Sequence, residues 1–256
     1  MSNLTNKLEG IKALFLDLDG TIYLGNELIP GALDFLARCD EYGIKRFFLS
    51  NNSSRSVKQY VSKLQNLGIP ATNDEILLST HDLIAWLHGL DYSRVCLVGT
   101  EGMQEMLVSE GLKVDDENPE IVVLGYDTEI NYSKLSIAVK HLHRGIPLVA
   151  SHPDLVCPSP EGDLPDVGAY LALFEAATGV SPIHICGKPN PSMLSHKIKE
   201  LGLENNEVGV VGDRIYTDME MAKRCDCMSI LVLSGETKEH DGSFSLVVDS
   251  VADLLI

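Results

Sequence analysis

The chain has 256 residues, 45% hydrophobic and 22% charged, an ordinary globular composition that excludes a disordered chain. Its formal net charge of −17 at pH 7 argues against nonspecific binding to nucleic acid or to an anionic membrane, both of which need basic patches. An anionic ligand would need a local positive site, because screening acts over roughly 8 Å at physiological salt.

The length suits one large domain or a core carrying an insertion. In chain order, "IKALFLDLD" reads as a strand, "GALDFLARCDEYG" as a helix stopping at Gly43, "KRFFLS" as a strand and "RSVKQYVSKLQNLG" as a helix stopping at Gly68. The middle of the chain has its own set: the strands "RVCLVGT", "IVVLGYD" and "IPLVAS", with helices such as "YSKLSIAVKHLHRG" between them. Near the end, "EVGVVGD" reads as a strand, "TDMEMAKRC" as a helix and "MSILVLS" as a strand. This alternation predicts an α/β fold with a parallel sheet covered by helices on both faces. The middle set is read as a second α/β unit inserted over residues 83–181, with residues 1–82 and 182–256 forming the core.

Six cysteines occur without a C-x-x-C, as expected of buried free thiols in a reducing compartment. The polar start "MSNLTNKLEG" carries no apolar signal segment, and no stretch approaches 18 apolar residues. A cytoplasmic protein without a membrane span is the expectation. His141 and His143 stand two apart in a helix, on different faces, and make a poor metal pair.

Four places carry candidate chemistry. In "FLDLDGTIYLG", Asp17 and Asp19 end an apolar run before Gly20. Two neighbouring carboxylates repel unless one holds a proton or a cation sits between them, and magnesium takes one or two carboxylates plus water and phosphate. The plainer reading is a surface turn with two solvated aspartates. In "FFLSNNSSR", Ser50, Asn51 and Asn52 offer donors between a strand end and a helix start, a natural anion site, while Ser53 or Ser54 could simply cap the helix. In "HICGKPNPS", Pro189 biases Lys188 toward extended backbone at a strand end, where its charge could reach a phosphate or only water. In "GVVGDRIYTDME", Asp213 ends a strand and could complete a metal site with Asp17, while Asp218 could support that site or cap the following helix. All four fall at strand ends, where open α/β sheets bind ligands.

These four segments, in this order, resemble the haloacid dehalogenase superfamily of phosphohydrolases over the whole chain. "LDLDGTIYLGNELIPGA", "LSNNSSR", "VVLGYDTEINYSKL" and "CGKPNPSML" are similar to its subclass IIA, the NagD-like, p-nitrophenyl phosphatase type. The resemblance implies a Rossmann-like doubly wound core with an inserted α/β cap of type C2 that sets substrate specificity. It implies Asp17 as nucleophile and Asp19 as general acid and base, with Ser50, Asn51, Asn52 and Lys188 holding the phosphoryl group. Mg2+ would bind the carboxylates of Asp17 and Asp213 and the backbone carbonyl of Asp19, with Asp218 supporting that shell. Caps of this subclass often meet in dimers, so a homodimer through the cap is the assembly to look for. The loop "SHPDLVCPSPEGDLPDVGAY" departs from the T-N-P-D and P-G-A-G that relatives often carry, and His152 and Asp166 are candidates for reading the leaving group.

The function so expected is a magnesium-dependent phosphatase of small phosphorylated metabolites acting through an aspartyl-phosphate. A phosphotransferase and a non-catalytic phospholigand-binding protein on the same fold are the alternatives. A nicotinamide dehydrogenase is weaker, because no G-x-G-x-x-G follows a strand.

Overall fold

The computed structural model describes residues 7–159 and 162–254. The first six residues of the polar N-terminal stretch, and Pro160 and Glu161 of the cap loop, lie outside the described residues.

The chain opens with β1 (Ala13–Asp17), the short pair β2 (Tyr23–Leu24) and β3 (Glu27–Leu28), α1 (Ala32–Glu41) and β4 (Lys45–Ser50). Then come α2 (Val57–Asn66), β5 (Ile76–Leu78), α3 (Ser79–Gly89), β6 (Arg94–Val98), α4 (Glu101–Ser109), β7 (Lys113–Val114) and β8 (Ile121–Leu124). The middle continues through α5 (Tyr132–His143), β9 (Leu148–Ala150), β10 (Val156–Cys157), β11 (Leu164–Pro165), α6 (Val167–Thr178) and β12 (His184–Ile185). It closes with α7 (Ser192–Leu201), β13 (Val208–Gly212), α8 (Glu220–Arg224), β14 (Met228–Val232) and β15 (Leu246–Val248).

Two compact units result: 1–50, 61–77 and 188–256 form the first, and 51–60 with 78–187 the second. The expected division at 82/83 would cut α3. That helix goes whole into the second unit, where Leu83, Ile84 and Leu87 are buried and Asp82 accepts a hydrogen bond from Gly187 N.

The first unit carries a six-stranded sheet in the order β15-β14-β13-β1-β4-β5. Strand β1 pairs in parallel with both β13 and β4, so the strand order reverses around it, as in a Rossmann-like sheet. Ala13, Leu14, Phe15 and Leu16 are all 0% exposed, the continuous apolar run that a parallel strand covered on both faces requires. Side chains two apart share a face, so Ala13 and Phe15 meet Phe47, Leu49 and Val210 in one core cluster with Leu194 and Ile198 of α7. The rings of Phe15 and Phe47 stack at 5.1 Å.

The second unit has its own parallel five-stranded sheet, β12-β9-β8-β6-β7. Val98, Leu124, Leu148 and Ala150 pack there against Leu142 of α5 and Phe174 of α6. Among the described residues no helix is long and apolar enough to cross a membrane.

Candidate active site

Register assembles the site in the first unit. Asp17 ends β1 opposite Leu49, so Ser50 stands one residue past it on β4. On the other flank Leu16 lies opposite Val211, which puts Gly212 and Asp213 at the same edge. Lys188 opens the last segment of the first unit, just after β12, with its side chain 4% exposed. It hydrogen-bonds Asp17 Oδ1 and also Asp218 Oδ1, the latter at 2.6 Å. Asp17, Asp213 and Asp218 each offer an oxygen within 4.8 Å of the others.

Asp218 reaches this cluster through a wide turn. The expected helix over "TDMEMAKRC" is α-helical only from Glu220, and Ile215–Met219 form a π-type turn before it. That turn brings Asp218 Oδ2 to Arg214 N at 3.2 Å, so the residue caps its own turn while Oδ1 serves Lys188. A Cβ on Gly212 would overlap the Asp218 carboxyl group, which is why a glycine ends β13.

Burial dominates the electrostatics. It raises Asp213 to about 7, with Asp17 and Asp218 pushing the same way. It raises Asp218 to about 6, where Lys188 opposes the shift and Asp17 adds to it. For Lys188 burial favours the neutral amine, but Asp17 and Asp218 outweigh it and hold the pKa above the usual lysine value.

Asp19 is half-buried beyond the strand end, where Gly20 N bonds Tyr23 O at 2.7 Å and closes the turn. Burial raises its pKa, Lys63 opposes that and Asp17 adds to it. Lys63 Nζ lies 3.9 Å over the Tyr23 ring.

The donor set fits a divalent cation. Three carboxylates face one ammonium, leaving a double negative charge if all ionise. Asp213 Oδ1 is buried without a hydrogen-bond partner among the described residues. Oxygen ligands of this kind suit a hard divalent cation rather than a softer metal.

The remaining candidates belong to the second unit. Asn51 is buried, and its Nδ2 donates to Asp154 Oδ1 at 3.1 Å. Asn52 Oδ1 accepts from Ser54 N and Oγ at 2.9 and 2.6 Å. Neither Ser53 nor Ser54 caps a helix directly, since α2 starts only at Val57; Ser53 Oγ instead pairs with Ser151 Oγ at 2.9 Å and accepts from Tyr126 N. His152 is 0% exposed, 3.7 Å from Asp154 Oδ2 and 3.6 Å from Asp166 Oδ1. Asp166 is buried too and caps α6, accepting from Val167 N at 2.6 Å.

Sequence reasoning passed over Asp82, Ser79 and Asp154. Gly187 N donates to Asp82 Oδ2 at 2.9 Å, and Ser79 Oγ donates to Asn51 O at 2.6 Å. Together they brace the backbone on either side of two motifs. An aspartate or serine early in a helix is so common a capping residue that its spacing carried no further signal.

Residues 14–113 match the family model for haloacid dehalogenase-like hydrolases, and residues 185–254 match a second, HAD-hydrolase-like model. An acid sugar phosphatase of Staphylococcus saprophyticus is 33% identical over 238 residues, covering 91% of each chain. The chain belongs to the haloacid dehalogenase-like hydrolase family. Among solved structures, a 4-nitrophenylphosphatase from Thermotoga maritima is similar to this hydrolase at 36% identity and TM-score 0.93 over 97% of each chain. A p-nitrophenyl phosphatase from Archaeoglobus fulgidus follows at 30% identity and TM-score 0.88, covering 96% of this chain and 98% of its own. With a putative NagD protein at 37% identity and TM-score 0.92, over 96% of this hydrolase and 98% of that chain, these relatives put it in the NagD-like phosphatase subclass, IIA.

Proposed function

We propose that the protein is a magnesium-dependent phosphatase of small phosphorylated metabolites that works through an aspartyl-phosphate on Asp17. The observation that carries this reading is the shared ammonium: Lys188 bonds both Asp17 and Asp218, beside an Asp213 oxygen that has no hydrogen-bond partner among the described residues.

Asp17 attacks phosphorus, and the bond to the leaving oxygen breaks as Asp19 gives that oxygen its proton. The raised pKa of Asp19, set mainly by burial, favours the protonated form this step needs. Asp19 then takes a proton from water, which attacks the phosphorus, frees inorganic phosphate and restores Asp17. Lys188 holds charge against the phosphoryl oxygens throughout, with the Ser50 hydroxyl and the donors of Asn51 and Asn52 that follow it. The carboxylates of Asp17 and Asp213 and the carbonyl of Asp19 would hold magnesium, with Asp218 in support. When bound, the ion supplies positive charge at the transferring group.

Selection among leaving groups falls to the second unit; His152 and Asp166, expected to read the leaving group themselves, are buried and act instead by fixing the Ser151–Asp154 segment. The staphylococcal relatives are acid sugar phosphatases, so sugar phosphates are the first compounds to test. The six cysteines form no disulfide with one another among the described residues, in keeping with a cytoplasmic setting.

Purified protein and its Asp17→Asn variant, assayed on p-nitrophenyl phosphate and a panel of phosphorylated metabolites with magnesium, test the reading. Turnover should vanish in the variant and disappear reversibly on chelation. Full activity of Asp17→Asn would exclude the nucleophile.

A further inference from the structure

Asp213 is held from outside the motif that carries it. Past β14 the chain passes Ser234, Gly235, Glu236 and Thr237 close to the Asp213 carboxyl group. Glu236 N donates to Asp213 Oδ2 at 2.6 Å, and Thr237 N donates to Asp213 O at 3.2 Å. Ser234 Oγ donates to Gly20 O at 2.7 Å, tying the loop to the turn after β1.

Gly235 is pressed onto the carboxylate. A Cβ there would lie 2.6 Å from Asp213 Cβ and closer still to its carboxyl group. Gly20, at φ +90°, also closes on this carboxyl group, where a Cβ would lie 2.8 Å from Asp213 Cγ and 2.9 Å from Gly235 Cα. Two glycine backbones therefore crowd one carboxyl group, in a space that no side chain could share.

The loop is itself anchored. The Glu236 carboxylate pairs with Arg214 Nε at 2.9 Å and accepts from Tyr216 Oη at 3.1 Å. Lys238 Nζ donates to Leu233 O at 3.2 Å.

The consequence is an asymmetric carboxylate. Oδ2 accepts a main-chain N–H, while Oδ1 is buried and has no hydrogen-bond partner among the described residues. From this we infer that the Ser234–Thr237 loop is the positioning clamp of the cation ligand Asp213, with Gly235 and the Glu236 anchor setting metal affinity. This rests on the magnesium reading above. Neither residue touches the reacting atoms. Both act through Asp213, and residues behind a metal ligand commonly change affinity about 10–100-fold.

The test uses the full chain and its Gly235→Ala, Glu236→Ala and Glu236→Gln variants. Magnesium binding is measured by titration calorimetry, alongside the magnesium concentration for half-maximal hydrolysis of p-nitrophenyl phosphate. Gly235→Ala should weaken magnesium binding at least about tenfold and Glu236→Ala by several-fold, with maximal turnover recovered at saturating magnesium. Glu236→Gln, which still accepts from Tyr216, should fall between wild type and Glu236→Ala. Should Gly235→Ala not fold, the half-exposed Glu236 decides the matter alone. Variants that bind magnesium as tightly as wild type, or that lose turnover which magnesium cannot restore, overturn the clamp. A wild type that binds no magnesium overturns the metal reading beneath it instead.

Discussion

Lys188 Nζ donates to Asp218 Oδ1 at 2.6 Å, and the same ammonium reaches Asp17, 171 residues earlier in the chain. The two carboxylates are buried to different degrees, with 13% of the Asp17 side chain exposed against 1% of Asp218. One lysine thus offsets the charge of a proposed nucleophile and of its neighbour, and orients both. Removing one member of a buried ion pair leaves the rest uncompensated.

Lys188→Met is therefore expected to act twice. Hydrolysis of p-nitrophenyl phosphate should fall by about 10²-fold or more, because a charge aimed at the phosphoryl group is gone. The metal-free protein should also lose about 3 kcal/mol in urea denaturation, since Asp17 and Asp218 then face each other without a cation. Unchanged stability would mean that the ammonium does not balance the pair.

The raised carboxylates make the metal-free protein sensitive to pH. Asp213 lies at about 7 and Asp218 at about 6, against 3.8 for an ordinary aspartate. Between those values the native state binds more protons than the unfolded chain, so stability falls as pH rises through the window. The melting temperature in chelator should drop from pH 5 to pH 7.5, and saturating magnesium should flatten that slope. Magnesium held as proposed would displace these protons, so its affinity should weaken toward acid, by about tenfold per pH unit for each proton displaced. Affinity that strengthens on acidification would contradict the assignment of these carboxylates as ligands.

How far such a site can be read beforehand depends on which atoms carry it. β1, β4 and β13 were legible because strands buried on both faces must be continuously apolar, so Asp17 and Asp213 at their ends stood out. Lys188 was legible through Pro189, which restrains the residue before it. The π-type turn at Ile215–Met219 was not, since its wide path answers to the space Asp218 needs beneath Gly212. The Ser234–Thr237 loop works through main-chain N–H groups and a missing Cβ, neither of which leaves a side-chain pattern. The allegiance of α3 depends on tertiary burial of Leu83, Ile84 and Leu87, which a boundary drawn by pattern at 82/83 cannot see.

Asp82 should matter for activity although it is remote in sequence from every motif. Its Oδ2 takes the N–H of Gly187, the residue before Lys188. Asp82→Ala leaves that buried donor without its acceptor, at a cost of about 1–3 kcal/mol, and loosens the backbone that aims the lysine. The turnover number for p-nitrophenyl phosphate should fall while KM changes little. Asp82→Asn keeps an acceptor and should restore most of the loss. A variant pair with equal activity would show that Gly187 does not depend on this carboxyl group.

His152 bears on selectivity. Its ring lies buried between Asp154 and Asp166, and neither ring nitrogen has a hydrogen-bond partner among the described residues. Asp154 carries the bond to Asn51, and Asp166 starts α6, so the imidazole joins two elements that shape the second unit. His152→Leu fills the space but removes the two ring nitrogens that face Asp154 and Asp166. Asp166→Ala removes a helix cap as well, costing about 1 kcal/mol of stability. With His152→Leu, kcat/KM ratios among sugar phosphates should shift more than activity on p-nitrophenyl phosphate does. Equal losses on every substrate would reduce His152 to packing and leave selectivity to other residues of the second unit.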